Sequence, residues 1–150
     1  MNVTSIIATV SSVLFSGVLL ASVATAETVR VGGEVENGRQ GVDVSYGQYG
    51  LALGQSVDGQ TTDLGVRYLH VMPVVNGLSA RLGVEAGATS QPGNYKPAAY
   101  FAGFSQGLGI QVGQIGYFTD LTVHTSMDAA THQMAQGLTL APRIGIELSI

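Results

Sequence analysis

The sequence predicts an all-β fold: a single antiparallel up-and-down β-barrel of eight strands. Three observations lead there. The stretch from Gln136 to Ile150 alternates without a slip, with Leu138, Leu140, Pro142, Ile144, Ile146, Leu148 and Ile150 on one face. Gly137, Thr139, Ala141, Arg143, Gly145, Glu147 and Ser149 fall on the other, and a period of two belongs to a strand. Earlier segments repeat this alternation between short turn signals, and no 3.6-residue period of useful length follows residue 26. The composition agrees. Charged residues make up 11% of the 150 residues, about half the globular norm of ~25%, and there are 21 glycines. That glycine load in alternating strands points to tight turns and close-packed faces.

The first 26 residues carry no charged side chain. Val13 to Leu20 is an apolar run, and Ala24-Thr25-Ala26 has the small-x-small pattern of a cleavage site. This reads as a signal peptide, residues 1–26, cut before Glu27, although the n-region lacks the usual Lys or Arg. A retained N-terminal transmembrane helix is the competing reading. The barrel then occupies residues 27–150 as one domain.

Within it, Thr28–Glu36 alternates Val29, Val31, Gly33 and Val35 against Arg30, Gly32, Glu34 and Glu36. Asn37-Gly38 is a hairpin signal. Gln40–Gln48 follows, then a turn expected at Tyr49-Gly50, a strand from Leu51 to Val57 and a turn at Asp58-Gly59. Leu64–Tyr68 is the next strand. The turn after it is expected within Met72–Gly77, which holds Pro73 and Asn76-Gly77. Leu78–Ala88 is the cleanest internal strand, and Ser90–Pro97 is a loop containing the chain's single lysine, Lys96. Ala98–Phe104 and Leu108–Val112 read as two further strands, with a break at Gln114-Ile115. Thr119–Gln133 is polar and reads as a long loop or a short hairpin. The strand count is eight, or ten if residues 121–127 and 133–141 pair as an extra hairpin. Pro142 cannot donate a ladder hydrogen bond, so it marks a bulge or a turn.

Alternation alone does not say which face is outside. The polar face is mostly Gly, Ser and Ala with a few charges of both signs, which suits a crowded interior rather than a solvated exterior. Arg30, Arg67, Arg81 and Arg143 can pair there with Glu34, Asp43, Asp63, Glu85 and Glu147. Aromatics gather at strand ends in two groups, Tyr46, Tyr49, Tyr68 and Phe104 on one side and Tyr95, Tyr100, Tyr117 and Phe118 on the other, as two interfacial belts would. The expectation is therefore a transmembrane barrel in contact with outer-membrane lipid, monomeric, with its first and last strands paired because hydrocarbon tolerates no open sheet edge. A soluble periplasmic binding barrel is the alternative.

Three stretches carry the resemblance: Val31-Gly32-Gly33-Glu34-Val35, Gly50-Leu51-Ala52-Leu53-Gly54 followed by Asp63-Leu64-Gly65-Val66-Arg67-Tyr68, and Ala141-Pro142-Arg143-Ile144-Gly145-Ile146. They resemble the small outer-membrane β-barrel proteins of Gram-negative bacteria, and among these the YfaZ-type family. The likeness covers the first half and the last dozen residues. It implies an outer-membrane location and no established activity.

Candidate chemistry is sparse. There is no cysteine, which excludes disulfides, thiolate metal sites and a lipid-modified cysteine. A net charge of −4 gives no footprint for nucleic acid. His124-Thr125-Ser126 is similar to the His-x-Ser pair of barrel lipid A deacylases, but Met127 stands where Asn is expected and the next Glu is Glu147. His124, Asp128 and His132 recur every four residues, a metal-capable spacing only on a helix. The expectation is no catalytic residue, no metal and no cofactor, a lumen plugged by salt bridges, and a structural or surface-interaction role. Binding would then sit in Asn37–Arg39, Asp58–Thr62, Ser90–Pro97 and Thr119–Gln133. A narrow porin-like channel is the main functional alternative, kept open by the space that inward glycines leave.

Overall fold

The computed structural model describes residues 28–94 and 96–150. The expected signal peptide and Tyr95 lie outside the described residues. Eight antiparallel strands form a closed barrel in sequence order. They are β1 (Val29–Glu36), β2 (Arg39–Tyr46), β3 (Tyr49–Ser56), β4 (Thr62–Val75), β5 (Leu78–Ser90), β6 (Pro97–Val112), β7 (Ile115–Asp128) and β8 (Met134–Ser149). β1 closes on β8 from Arg30↔Ser149 to Glu36↔Arg143, so the sheet has no open edge along that seam.

The barrel has two unlike ends. The proximal end holds Val29 and Ile150 and the tight turns at 47–48, 76–77 and 113–114. The distal end holds the 37–38 turn and three longer connections, 57–61, 91–96 and 129–133. Positive φ explains several tight turns. Asn37 and Gly38 (36° and 77°) and Asn76 and Gly77 (30° and 82°) have the paired left-handed conformation that matches strand twist in a two-residue hairpin.

Eight strands is the expected number, but the strands differ from those read in the sequence. Ala98–Phe104 and Leu108–Val112 are one strand, β6, whose inward residues Gly103, Ser105, Gly107 and Gly109 run on without a break. Inward Phe101 and outward Gln106 had blurred the alternation. Conversely, of the two readings of Thr119–Gln133 the hairpin is the nearer: β7 runs to Asp128 and pairs with β8 across the short 129–133 connection, although this is the last hairpin of eight strands and not an additional one. The inward face of β7 is polar, so it lacks the apolar-against-small pattern of the other strands. The second turn is at Gly47-Gln48, where Gly47 has φ 60°, and Tyr49 and Gly50 open β3. β4 continues through Pro73, with a register irregularity between Pro73 and Val75, before turning at 76–77.

Pro142 marks neither a turn nor a bulge, and the ten-strand count falls with it. Val29 and Ile150 exchange both backbone hydrogen bonds, at 3.3 and 2.8 Å. Counting back in twos, Ile144 is the last β8 residue that aims its N–H at β1, opposite Val35. Pro142 takes the next such position, past the end of β1, where there is no ladder bond to lose.

The faces are inverted relative to a soluble barrel. The outside of β8 presents Leu138, Leu140, Ile144 and Ile146 at 79, 61, 59 and 54% exposure. Leu51, Leu64, Val66, Val84, Leu108 and Ile110 continue this band on other strands. Inside, Arg67, Arg81, Asp120, Arg143 and Glu147 are buried.

Candidate functional site

One continuous ion network runs through the lumen. Arg81 Nη1 donates to Glu147 at 3.3 Å, and Arg81 Nε lies 3.3 Å from Asp120 Oδ1 without hydrogen-bond alignment. Arg143 Nη2 donates to Asp120 Oδ2 at 3.2 Å and Nη1 to Glu85 Oε2 at 2.9 Å. Arg67 forms a two-pronged pair with Glu34, at 2.9 and 2.8 Å, and also donates from Nε to Glu85 Oε2 at 3.0 Å. Such bidentate arginine–carboxylate geometry fixes both partners. Five strands contribute to this chain of charges: β1, β4, β5, β7 and β8. Arg143 at its centre is 1% exposed.

Register explains how so many long side chains fit. Asp120 lies opposite Gly107, Glu147 opposite Gly116, and Glu85 and His124 both opposite Gly103. Each large group occupies the place where its neighbour has no Cβ. The same rule seats two rings. A Cβ at Gly87 would come within 2.6 Å of Phe101 Cζ, and one at Gly145 would strike the ring of Phe118. Arg81 stacks its guanidinium 4.1 Å from the centre of the Phe118 ring. The space at these inward glycines is therefore filled by neighbouring side chains.

Of the residues expected in the lumen network, Glu34, Arg67, Arg81, Glu85, Arg143 and Glu147 are brought together. Asp63 pairs separately with Arg39. Arg30 does not join. It donates to the Gly47 carbonyl at 2.6 Å, at the proximal end, because the strands on either side offer it no carboxylate at that height. Asp43 faces the lumen against Gly32, and the ion pairs among the described residues do not include it. The lumen charges expected from the sequence omit Asp120, His124, Glu36 and Arg39, which also face the interior. Asp120 and His124 were hidden by reading β7 as a loop, although Asp120, Thr122, His124 and Ser126 already share a period of two.

The aromatic belts also rearrange. Tyr46, Tyr49 and Tyr68 form a row across β2, β3 and β4 near the proximal end, with Tyr49 and Tyr68 edge-to-face at 5.4 Å. Tyr117 belongs near this end, not the opposite one, because β7 starts there. Phe118 is no belt residue: next to outward Tyr117 it must point inward, and it is buried. Phe104 faces outward in mid-strand, and Tyr100 faces outward nearer the distal end.

The network does not fill the distal third. A cavity of about 460 Å³ lies there, lined among others by Glu34, Glu36, Asn37, Arg39, Asp63, Arg67, Glu85, Phe101, His124 and Ser126. The 37–38 turn stands at its rim. His124 bridges two strands: Nε2 is 2.9 Å from Glu36 Oε1 on β1, and Nδ1 is 3.4 Å from Glu85 Oε1 on β5. Asp128 and His132 do not join it. Asp128 caps the 129–133 turn, accepting hydrogen bonds from the Ala130 and Thr131 amides, and His132 sits in that turn with φ 55°. The deacylase-like arrangement is not assembled either. Glu147 is bound to Arg81 near the proximal turn, opposite Gly116, whereas His124 and Ser126 are at the distal end of β7.

No protein-family model, curated protein or solved structure matches the chain. What the site can do chemically rests on its own residues.

Proposed function

We propose that this chain is a small outer-membrane β-barrel with a structural or surface-interaction role, non-catalytic and closed to ion flow. The observation that carries the reading is the inverted polarity of the wall, with leucine, isoleucine and valine outside and paired Arg, Asp and Glu inside. In water this arrangement exposes a continuous apolar band of a size that monomeric soluble proteins avoid. In hydrocarbon the same band is solvated by lipid, and closure pairs the backbone polar groups. The short proximal turns and longer distal connections fit insertion with the proximal end toward the periplasm, as in known barrels of this class. The row of Tyr46, Tyr49 and Tyr68 then lies at the inner interface. The strand motifs that resemble the YfaZ-type proteins fit the same reading.

The buried network supports a plug rather than a pore, since an eight-stranded interior is only wide enough to be filled by side chains. Density fractionation of cell envelopes tests the location: recovery with the outer membrane is expected, and recovery in the soluble periplasmic fraction would refute it. Planar-bilayer recordings test the plug. Silence is expected, and reproducible conductance steps would make the chain a channel.

A further inference from the structure

The distal cavity carries more negative charge than its own cations balance. Four carboxylates line it, Glu34, Glu36, Asp63 and Glu85, against two guanidiniums, Arg39 and Arg67. Both guanidiniums are already engaged, Arg67 by Glu34 and Glu85 and Arg39 by Asp63. Arg143 reaches the cavity floor only through Glu34 and Glu85 Oε2. Glu36 and the Oε1 oxygen of Glu85 are thus left to His124. An imidazole between two carboxylate oxygens is complementary only when something positive lies between them, a second proton on the ring or a metal ion.

We propose that Glu36, Glu85 and His124 form a binding site for a zinc-type divalent cation at the mouth of the lumen. One ligand atom from each residue lies within 4.8 Å of the other two. The 2.9 Å contact to Glu36 is on Nε2 and the 3.4 Å contact to Glu85 is on Nδ1. One of them is thus an edge of the cage, near the ~3.3 Å of a tetrahedral zinc site with bonds of about 2.0 Å, and the other carboxylate closes on the same nitrogen from within 4.8 Å. Only one ring nitrogen ligates. Glu85 is held from behind, since Arg67 and Arg143 both bind its Oε2 and leave Oε1 facing the cavity. Three protein ligands leave a fourth position to water on the cavity side, the pattern of an open site rather than a closed structural one. Imidazole with carboxylates selects zinc and its transition-metal neighbours over calcium or magnesium, which take oxygen ligands. The ligands come from β1, β5 and β7, so a bound ion ties together strands that are not neighbours in the sheet.

The test uses the purified full-length barrel in detergent, and it does not depend on where the barrel resides in the cell. After chelator treatment, added zinc is expected to raise the unfolding midpoint by about 5 °C or more, and magnesium to leave it unchanged. Glu36→Gln and His124→Gln should each abolish the zinc shift, while His132→Gln should keep it. A wild-type barrel with no zinc shift, or a shift that survives Glu36→Gln combined with His124→Gln, overturns the site. Cobalt provides a second reading on the unmodified chain, so that the proposal stands or falls even if a variant does not fold. Intense visible ligand-field bands at one equivalent support the site, and the weak spectrum of the hydrated ion refutes it.

Discussion

The proximal and distal halves of the lumen are built from the same residue types, yet they do different work. In the proximal half, Arg81 and Asp120 are each 3% exposed, with Phe118 packed against the guanidinium. In the distal half, the side chains of Arg39, His124 and Glu36 keep 38, 23 and 14% of their surface and look into a cavity. The contrast comes from the residues opposite. Proximal charges are enclosed because Gly107, Gly116 and Gly145 let neighbouring side chains press in. Distal charges line a wall of small residues, Gly41, Ala52, Gly54 and Ala141 among them, with no further long group to fill the centre. Removing one partner from an enclosed network strands a buried charge, which costs several kcal/mol, whereas a hydrated pair is worth about 1 kcal/mol or less. The same chemistry is a plug in one half and an accessible charged surface in the other.

The largest break in this contrast comes from Arg143, where the two halves meet. Arg143→Ala removes the cation that Glu34, Glu85 and Asp120 all contact, and it should destabilise the barrel by about 3–5 kcal/mol. Urea unfolding in detergent, followed by tryptophan-free far-UV circular dichroism, would measure it. A loss below 1 kcal/mol would mean that the network is not enclosed.

Packing is the next lever. Gly145→Val places a branched side chain against Phe118 and should cost about 1–3 kcal/mol in the same assay. Adding Phe118→Ala should recover part of that loss, because it removes the clash with the ring and leaves the one with the Gly33 carbonyl. If both variants are additive, Phe118 does not occupy the space above Gly145.

In the distal half, metal-free Glu36→Gln should change stability by about 1 kcal/mol or less, since its partner is half-open to the cavity. A cost as large as that of Arg143→Ala would erase the distinction between the halves.

The smallest effect lies beyond the distal rim. Asp58, in the 57–61 connection, accepts hydrogen bonds from the Ser56 hydroxyl at 2.6 Å and the Gln60 amide at 3.0 Å. These bonds, the Ser56 hydroxyl first, hold its carboxyl below the usual carboxylate range. The ordering they provide is present above the ordinary carboxylate pKa and is lost as pH falls through the depressed value. Faster amide exchange at Gln60 on acidification below that range, with the barrel still folded, is the expected result. Exchange independent of pH beyond its intrinsic catalysis would show that Asp58 does not set this turn.

Much of this architecture was legible in the sequence because strand periodicity is local. The alternation in Leu78–Ala88 and Gln136–Ile150, and the Asn-Gly turns at 37–38 and 76–77, needed no knowledge of distant residues. Inverted polarity was legible too, since a chain with one lysine has no means of covering a barrel with solvated charge. The eight-stranded total holds because two departures offset: β6 reads as two strands, and the β7 strand enters only the ten-strand alternative. Both had the same cause. An inward ring such as Phe101, or an inward row such as Asp120, Thr122 and His124, disguises the face on which a strand is buried.

The sequence by itself determined that the chain alternates, where most of it turns, and which side chains can carry charge into the interior. Only the tertiary structure decided which charges meet, because register between strands is a long-range property. It sets Asp120 opposite Gly107, brings Glu36 to His124 across 88 residues, and carries Pro142 past the end of β1. A one-residue slip in any of these pairings would exchange lumen for exterior, so the buried network and the apolar band fix each other.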